Sequence, residues 1–157
     1  MMQDFWKKFD ETELSHSSVH HLLAIKSLKD ELGYARLVDV SNQLGISRAS
    51  VSITIGKLKN KGFVSEDPNK FLSLSDKGAH VVRSVLAKRK VVEEFFQLVL
   101  KLPGNIAEMN ACKIEHLLDE EAGRRLSQFV GFYRSAVPEV KTFHNAFIEH
   151  IGNGETV

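Results

Sequence analysis

The strongest constraint on the fold is a pair of short amphipathic segments with a glycine between them. Apolar residues recur at helical spacing in residues 37–44 and again in residues 51–58, and Gly45 separates the two segments. Ser47 precedes the second segment, where a serine hydroxyl caps the unpaired amides of a helix N-terminus. Because glycine adopts the positive φ angle of a tight turn at little cost, this spacing predicts a helix-turn-helix.

The segments on either side extend this motif to a winged form. Residues 15–32 carry apolar side chains on one helical face, which predicts a first helix before the motif. Gly62 ends the third helix, and residues 63–65 and 71–74 alternate like two strands joined by a turn at residues 67–69. We therefore predict a winged helix-turn-helix with a small β-hairpin as its wing.

The remainder of the chain predicts only helices, so the fold class is mainly α. Ser75 begins a long helix that ends near Pro103, and Asn105 caps the helix after it. A further helix begins at the acidic residues 119–121, and a last helix, whose role the sequence leaves open, covers residues 139–151. The predicted domains are an N-terminal extension (1–14), a winged helix-turn-helix (15–75) and an all-helical domain (76–157).

Positive charge is concentrated in the middle of the chain. The formal net charge is only +1, but residues 26–90 hold 13 lysines and arginines against 6 acidic residues. Residues 1–25 and 91–157 are net negative, so only the middle segment is expected to face a polyanion such as DNA. The N-terminal sequence lacks the apolar stretch of a signal peptide, and the single cysteine, Cys112, cannot form an internal disulfide. We expect a cytoplasmic protein with no membrane partner.

The second helix of the motif is expected to offer its N-terminal side chains to a DNA major groove. Small side chains there let the helix approach base edges, and Arg48 is long enough to reach a guanine or a phosphate. A helix-turn-helix used only for packing is the alternative, which the wing and the local charge disfavour. The predicted base-reading residues are Ser47, Arg48, Ala49, Ser50, Ser52 and Ile53, and the predicted phosphate-binding residues are Lys57, Lys59, Lys61 and Lys70.

A second candidate site lies in the helical domain. Cys112, Glu115 and His116 stand at i, i+3 and i+4, which predicts one shared helical face. A thiolate, a carboxylate and an imidazole together suit a borderline divalent metal, although the same triplet also occurs as an ordinary acid, thiol and histidine. An enzyme with Cys112 as nucleophile and His116 as base is disfavoured, because no orienting group or oxyanion loop accompanies them.

Four segments resemble corresponding segments of a known family, in the family's order. GYARLVDVSNQLGIS, SVSITIGKLKNKGFV, LSDKG and CKIEHLLDEE are similar to the diphtheria-toxin-repressor and manganese-transport-regulator family, and the resemblance covers about residues 15–137. It implies a winged helix, a helical dimerisation domain, and metal bound between the two. It also implies a homodimeric repressor of metal-uptake or related genes, and a dimer of this kind binds palindromic operator DNA.

The resemblance further implies which residues hold the ion. The family's ligand position on the first helix falls on His20, and its later positions fall on Cys112, Glu115 and His116. Iron-responsive members of the family have a cysteine at the position of Cys112. A position where the manganese-responsive members have a carboxylate falls on Leu23, which cannot coordinate a metal. We therefore expect Fe²⁺, with Zn²⁺ or Co²⁺ binding in vitro, and disfavour Mn²⁺ because thiolate and imidazole suit softer ions.

Arg89 departs from the family's pattern. It occupies a position where the family has a histidine ligand, and a guanidinium has no lone pair for a metal. Glu93 and Glu108 match positions around the family's ancillary site, so we expect Arg89 to pair with one of them and only one ion to bind per subunit. The alternative is a winged-helix regulator that is metal-independent and constitutive, or controlled by a small ligand or by oxidation of Cys112.

The remaining histidines and aromatic residues are given structural roles. His16, His21 and His80 are expected at the surface, and no ligand role is expected for the two histidines of the last helix. An aromatic stripe is expected to form a core or dimer surface rather than a cofactor cage; its members are Phe129, Phe132, Tyr133, Phe143 and Phe147.

Overall fold

The computed structural model describes residues 14–135 and 137–153, which are mostly helical, with one small hairpin. The chain divides after Ser84 into two compact units, an N-terminal unit and a C-terminal unit that begins at Val85. Within the described ranges, no helix is long and apolar enough to cross a membrane. The elements in chain order are α1 (His16–Leu32), α2 (Leu37–Leu44), α3 (Arg48–Asn60), β1 (Val64–Glu66), β2 (Leu72–Leu74), α4 (Asp76–Glu94), a π-helical turn (Phe95–Val99), α5 (Gly104–Ile114), α6 (Glu120–Tyr133) and α7 (Pro138–Asn153).

Serine and glycine caps set the ends of the first three helices. The Ser15 hydroxyl accepts a hydrogen bond from the backbone amide three residues later, and α1 is followed by Gly33, whose φ of 80° is left-handed. Gly45, with φ of 65°, follows α2 in the same way. The Ser47 hydroxyl then accepts from the Ser50 amide at 3.1 Å and begins α3. The predicted helix-turn-helix is confirmed, with its turn at the predicted glycine.

Apolar side chains from the helices and the hairpin form the core of the N-terminal unit. Phe63 is completely buried, and its backbone oxygen lies 2.2 Å from the position that a Cβ on Gly78 would occupy, so only glycine fits there. Removing a phenylalanine or leucine side chain of this kind from water contributes about 1.5–3 kcal/mol. The core also includes Leu22, Ile25, Leu28, Val40, Val51, Ile55, Leu58, Leu72 and Val82.

The wing forms where the sequence predicts it. Strands β1 and β2 pair antiparallel, with Val64 opposite Leu74. In the turn, the Asp67 carboxylate accepts a hydrogen bond from the Phe71 amide at 2.8 Å. Lys70 has φ of 66°, in the left-handed region that favours glycine. The turn is therefore held by a side-chain hydrogen bond and includes one strained residue.

Ser75 joins the end of α3 to the start of α4. Its hydroxyl donates to the backbone oxygen of Gly62 at 2.6 Å and accepts from the amide of Gly78 at 3.1 Å. The second of these bonds satisfies one of the unpaired amides of the first helical turn, as the sequence predicts. The base of the wing is thereby tied to the helix that follows it.

The C-terminal unit departs from the predicted helices in two places. The long helix is not α-helical throughout, because a π-helical turn at Phe95–Val99 follows Glu94, and the Leu100 amide donates to the Phe95 oxygen at 3.2 Å. Helix α5 begins at Gly104, directly after Pro103, so the expected cap by Asn105 is wrong. The apolar core of this unit is formed by Val91, Val92, Ala111 and Val130.

Candidate nucleic-acid interface and metal centre

The N-terminal half of α3 presents its side chains to solvent. Ile53 is 62% exposed, so its apolar side chain is accessible to a partner. Arg48 has no ion pair within the described part of the chain. The predicted base-reading residues are all exposed: Ser47, Arg48, Ala49, Ser50, Ser52 and Ile53. Small polar side chains beside an arginine are the residue types that can approach base edges in a major groove.

Two of the four predicted phosphate-binding lysines are paired with one acid. Lys59 makes a close salt bridge to Glu66 of the wing, and Lys70 lies 3.8 Å from the other oxygen of the same carboxylate. The hydrogen bond from Lys59 lowers the pKa of Glu66 below its ordinary value of 4.5. Lys57 and Lys61 are exposed on α3 and just after it. Glu66 therefore reduces the positive charge that the wing offers to phosphate. The count of charges along the sequence does not reveal this pairing.

An aromatic and cationic cluster beside the wing was not predicted. The Arg36 guanidinium lies 4.5 Å from the ring centroid of Phe71 and 5.9 Å from that of Tyr34. The two rings meet edge to face, with centroids 5.5 Å apart. Cation–π contacts of this kind hold a guanidinium near a surface without neutralising its charge. The cluster adds a cation to the face of the unit that carries the wing, and the spacing of Tyr34, Arg36 and Phe71 in the sequence gives no signal for it.

In the C-terminal unit, the Arg89 guanidinium binds the Glu115 carboxylate through two hydrogen bonds. Nη2 donates to Oε1 at 2.7 Å, and Nε donates to Oε2. The same Nη2 lies 3.8 Å from Sγ of Cys112. Glu115 is completely buried, whereas the Arg89 side chain is 27% exposed. Both oxygens of one predicted metal ligand are thus occupied by a cation that the chain supplies itself.

The electrostatics of Arg89 agree with this geometry. The hydrogen bonds from Arg89 to Glu115 raise the pKa of the arginine above its ordinary value, and the charges of Glu115 and Glu108 act in the same direction. Within the described residues, the ion pair of Arg89 is with Glu115, so the expected pairing with Glu93 or Glu108 is wrong. Glu93 instead accepts a hydrogen bond from Gln97 at 2.8 Å. The sequence predicted a partner on α4 or in the middle of α5, whereas the observed partner is the residue that caps the C-terminus of α5.

The three predicted ligands of this unit do not all lie within helix α5. Cys112 lies in the last turn of α5, Glu115 is the C-cap residue with helical dihedral angles, and His116 lies in the turn beyond it. Sγ of Cys112 and a carboxylate oxygen of Glu115 lie within 4.8 Å of one another. His116 does not complete a three-residue donor group with them among the described residues. Helix α5 therefore ends before the last of the three predicted ligands.

The histidines of α1 have partners and burial that the sequence did not reveal. Nε2 of His20 is 2.9 Å from Nε2 of His16, so one ring donates to the other. His21 is only 1% exposed, which corrects the expectation of a surface residue. Its Nδ1 lies 2.6 Å from the Ser17 oxygen, and its Nε2 has no hydrogen-bond partner among the described residues. His16 and His80 are exposed as expected.

Comparison with protein families decides between a regulator and an enzyme. Residues 13–72 match the model described as the iron dependent repressor N-terminal DNA binding domain. Residues 75–140 match the model described as the iron dependent repressor metal binding and dimerisation domain. The chain belongs to the iron-dependent repressor family. This family consists of metal-dependent transcriptional regulators, and its members among the relatives are not enzymes.

Individual members of the iron-dependent repressor family are similar over most of this chain. The transcriptional regulator MntR of Salmonella typhimurium is 31% identical over 108 residues, which are 69% of this chain and 66% of that protein. The iron-dependent repressor IdeR of Mycobacterium tuberculosis is 26% identical over 114 residues, 73% of this chain but 50% of that protein. The solved structure of the manganese regulator SloR has the same fold, with a TM-score of 0.65 and 21% identity, covering 73% of this chain and 54% of that one. The chain therefore spans about half the length of IdeR and SloR.

Proposed function

We propose that this chain is a transcriptional repressor that binds palindromic operator DNA as a homodimer in the cytoplasm. The observation that carries the proposal is the exposed N-terminal half of α3, where small polar residues flank Arg48 and Ile53. A twofold dimer presents two such helices, which requires half-sites separated by about one helical turn or a multiple of it. The match to an N-terminal DNA binding domain supports the same interpretation.

The DNA-binding proposal is tested on an inverted repeat selected from random duplexes. Ile53→Asp adds a negative charge at an exposed position, so we expect at least a tenfold loss of affinity in fluorescence anisotropy at fixed salt. The matched control is Asn105→Asp, which adds the same charge to an exposed position of α5 and should leave affinity unchanged. Equal affinity of wild type and Ile53→Asp would exclude α3 as the reading element.

The aromatic stripe of α6 and α7 supports the homodimer. Phe129, Phe132 and Phe143 are 40%, 56% and 53% exposed in the single chain. Exposed aromatic side chains on adjacent helices are typical of a surface that a second subunit covers. The match of residues 75–140 to a dimerisation domain supports this role. Phe132→Asp is expected to give a monomer in light scattering, with its circular dichroism spectrum retained.

We further propose that a divalent metal ion controls DNA binding and that the ion is held by Cys112, Glu115 and His116, with His20 as the fourth predicted ligand. The donor types fit, because Cys112 and Glu115 place a sulfur and an oxygen within 4.8 Å of one another. A bound ion supplies positive charge and a fixed coordination geometry. Fe²⁺ is favoured by the thiolate. The sequence disfavours Mn²⁺, but the relatives do not support that preference, because they include MntR as well as the iron-dependent repressor IdeR.

Anaerobic titration tests this centre with an ion that reports its ligands. Co²⁺ bound to a thiolate gives an absorption band that Cys112→Ala should abolish. One equivalent per chain is the expected stoichiometry. Operator affinity is then measured with and without metal for wild type and His20→Ala. The comparison shows whether the ion and DNA bind cooperatively. A protein that binds operator DNA equally with and without metal would support the metal-independent alternative.

A further inference from the structure

Arg89 is a feature of the candidate centre that metal coordination does not account for. Its guanidinium binds both oxygens of Glu115, and the same Nη2 lies near the sulfur of Cys112. Glu115 and Cys112 are two of the predicted ligands of the metal ion. A group with five donors and no lone pair contributes nothing to coordination and offers a cation in place of the ion.

We propose that Arg89 is an internal cation that competes with the regulatory metal ion for Glu115. Either the guanidinium or the ion holds this carboxylate, and metal binding requires the arginine to leave. The inference rests on the proposed metal centre. The proposal gives Arg89 a role. In the metal-free state the arginine keeps Glu115 paired, and a metal ion binds only if its affinity for Glu115 exceeds that of the arginine.

The burial of Glu115 makes the two occupants exclusive. The carboxylate is completely buried, so an oxygen that releases Arg89 is not compensated by bulk solvent. A carboxylate oxygen that coordinates an ion beside a bound guanidinium also brings two cations within a few ångströms of each other in a site screened from water. The loss of hydrogen bonds and the repulsion between two cations therefore both oppose simultaneous binding of Arg89 and a metal ion to Glu115.

Arg89 has a route out of the site. Its side chain is 27% exposed, unlike the carboxylate that it binds. Glu108 is an exposed acid, and its negative charge is one of the groups that raise the pKa of Arg89. A guanidinium displaced from Glu115 therefore has water and a second acid within reach, whereas Glu115 has the ion. Displacement leaves no buried charge without a counter-charge.

The first test compares anaerobic Co²⁺ affinity, measured from the thiolate band, in the full chain and its variants. Arg89→Gln removes the charge and retains a hydrogen-bond donor to Glu115, so it preserves folding better than Arg89→Ala. We expect both variants to bind Co²⁺ at least tenfold more tightly than wild type. Arg83→Ala, which removes an exposed arginine from the same helix, should match wild type. Equal or weaker binding by both Arg89 variants, with the thiolate band present, overturns the competition.

The second test observes the arginine directly. In the ¹H–¹⁵N spectrum of the metal-free protein, the Nε–H signal of Arg89, assigned from its loss in Arg89→Gln, should be protected from exchange by its bond to Glu115. Adding one equivalent of Zn²⁺ should abolish that protection in wild type. A protected signal that persists while Zn²⁺ binds through Cys112 contradicts displacement. If neither wild type nor the Arg89 variants bind Co²⁺ or Zn²⁺ through Cys112, the proposed metal centre itself fails, and the competition with it.

Discussion

Arg89 and Glu115 form a two-point ion pair in which only the arginine reaches solvent. Because the acid is fully buried, removing its partner leaves a charged group that water cannot reach. We expect Arg89→Ala to lower the free energy of unfolding by about 3–5 kcal/mol in the absence of metal. Urea denaturation at neutral pH measures the change.

The pair of Arg89 and Glu115 also predicts which second substitution restores the lost stability. Arg89→Leu combined with Glu115→Leu replaces both charges by apolar groups, and we expect the double variant to be far closer to wild type than Arg89→Ala. Arg83→Ala is the control and should change stability by less than about 0.5 kcal/mol. A double variant as unstable as Arg89→Ala would show that packing, rather than the unpaired acid, causes the loss.

Gly78 is predicted to tolerate no side chain. A Cβ at this position lies 2.2 Å from the backbone oxygen of Phe63, and backbone at the edge of the core cannot move aside cheaply. Gly78→Ala should therefore destabilise the protein by about 1–3 kcal/mol in thermal unfolding. Gly131→Ala is the matched control, because nothing lies within 4 Å of its Cβ in helix α6, and it should stabilise by about 0.5–1 kcal/mol.

The pair between Lys59 and Glu66 predicts a dependence of stability on pH. The pKa of Glu66 is lower in the folded protein than its ordinary value of 4.5, so the folded state favours the ionised acid. The contribution is therefore complete well above that value and is lost as the pH falls through the lowered pKa. Wild type should exceed Glu66→Gln in stability by about 0.2–1 kcal/mol at neutral pH and converge with it in acid. Thermal unfolding at several pH values checks this, with Glu139→Gln as control.

Arg48 separates base reading from phosphate binding. If its side chain reads a base, Arg48→Ala should cost about 1–3 kcal/mol on the selected operator and much less on random duplex. A phosphate contact predicts instead a smaller loss that is equal on both duplexes and a reduced salt dependence. Anisotropy titrations at two salt concentrations distinguish the two outcomes.

Local chemistry predicted the N-terminal unit well. The caps at Ser47 and Ser75 and the turn at Gly45 each satisfy a requirement of the residues beside them, so neighbouring sequence is sufficient to find them. The wing follows from strand alternation. The family resemblance identified the fold of the second unit but not the π-helical turn at Phe95–Val99, which changes the register after α4.

The candidate centre was predicted less well, because its decisive contacts join distant parts of the sequence. The pair of Arg89 and Glu115 connects residues 26 positions apart, and only the packing of α4 beside α5 brings them together. The burial of His21 likewise depends on which face of α1 meets the core. Helical spacing also predicted a helix that continues through His116, whereas α5 ends at Ile114.

Lys70 holds a left-handed backbone conformation without being a glycine. That conformation costs a side-chain-bearing residue roughly 1–2 kcal/mol, a cost that glycine does not carry. Selection for thermal stability alone would therefore favour glycine at the tip of the wing and remove its positive charge in the same step. Directed evolution for thermal stability would therefore favour glycine at position 70, whereas selection for nucleic-acid affinity would retain lysine.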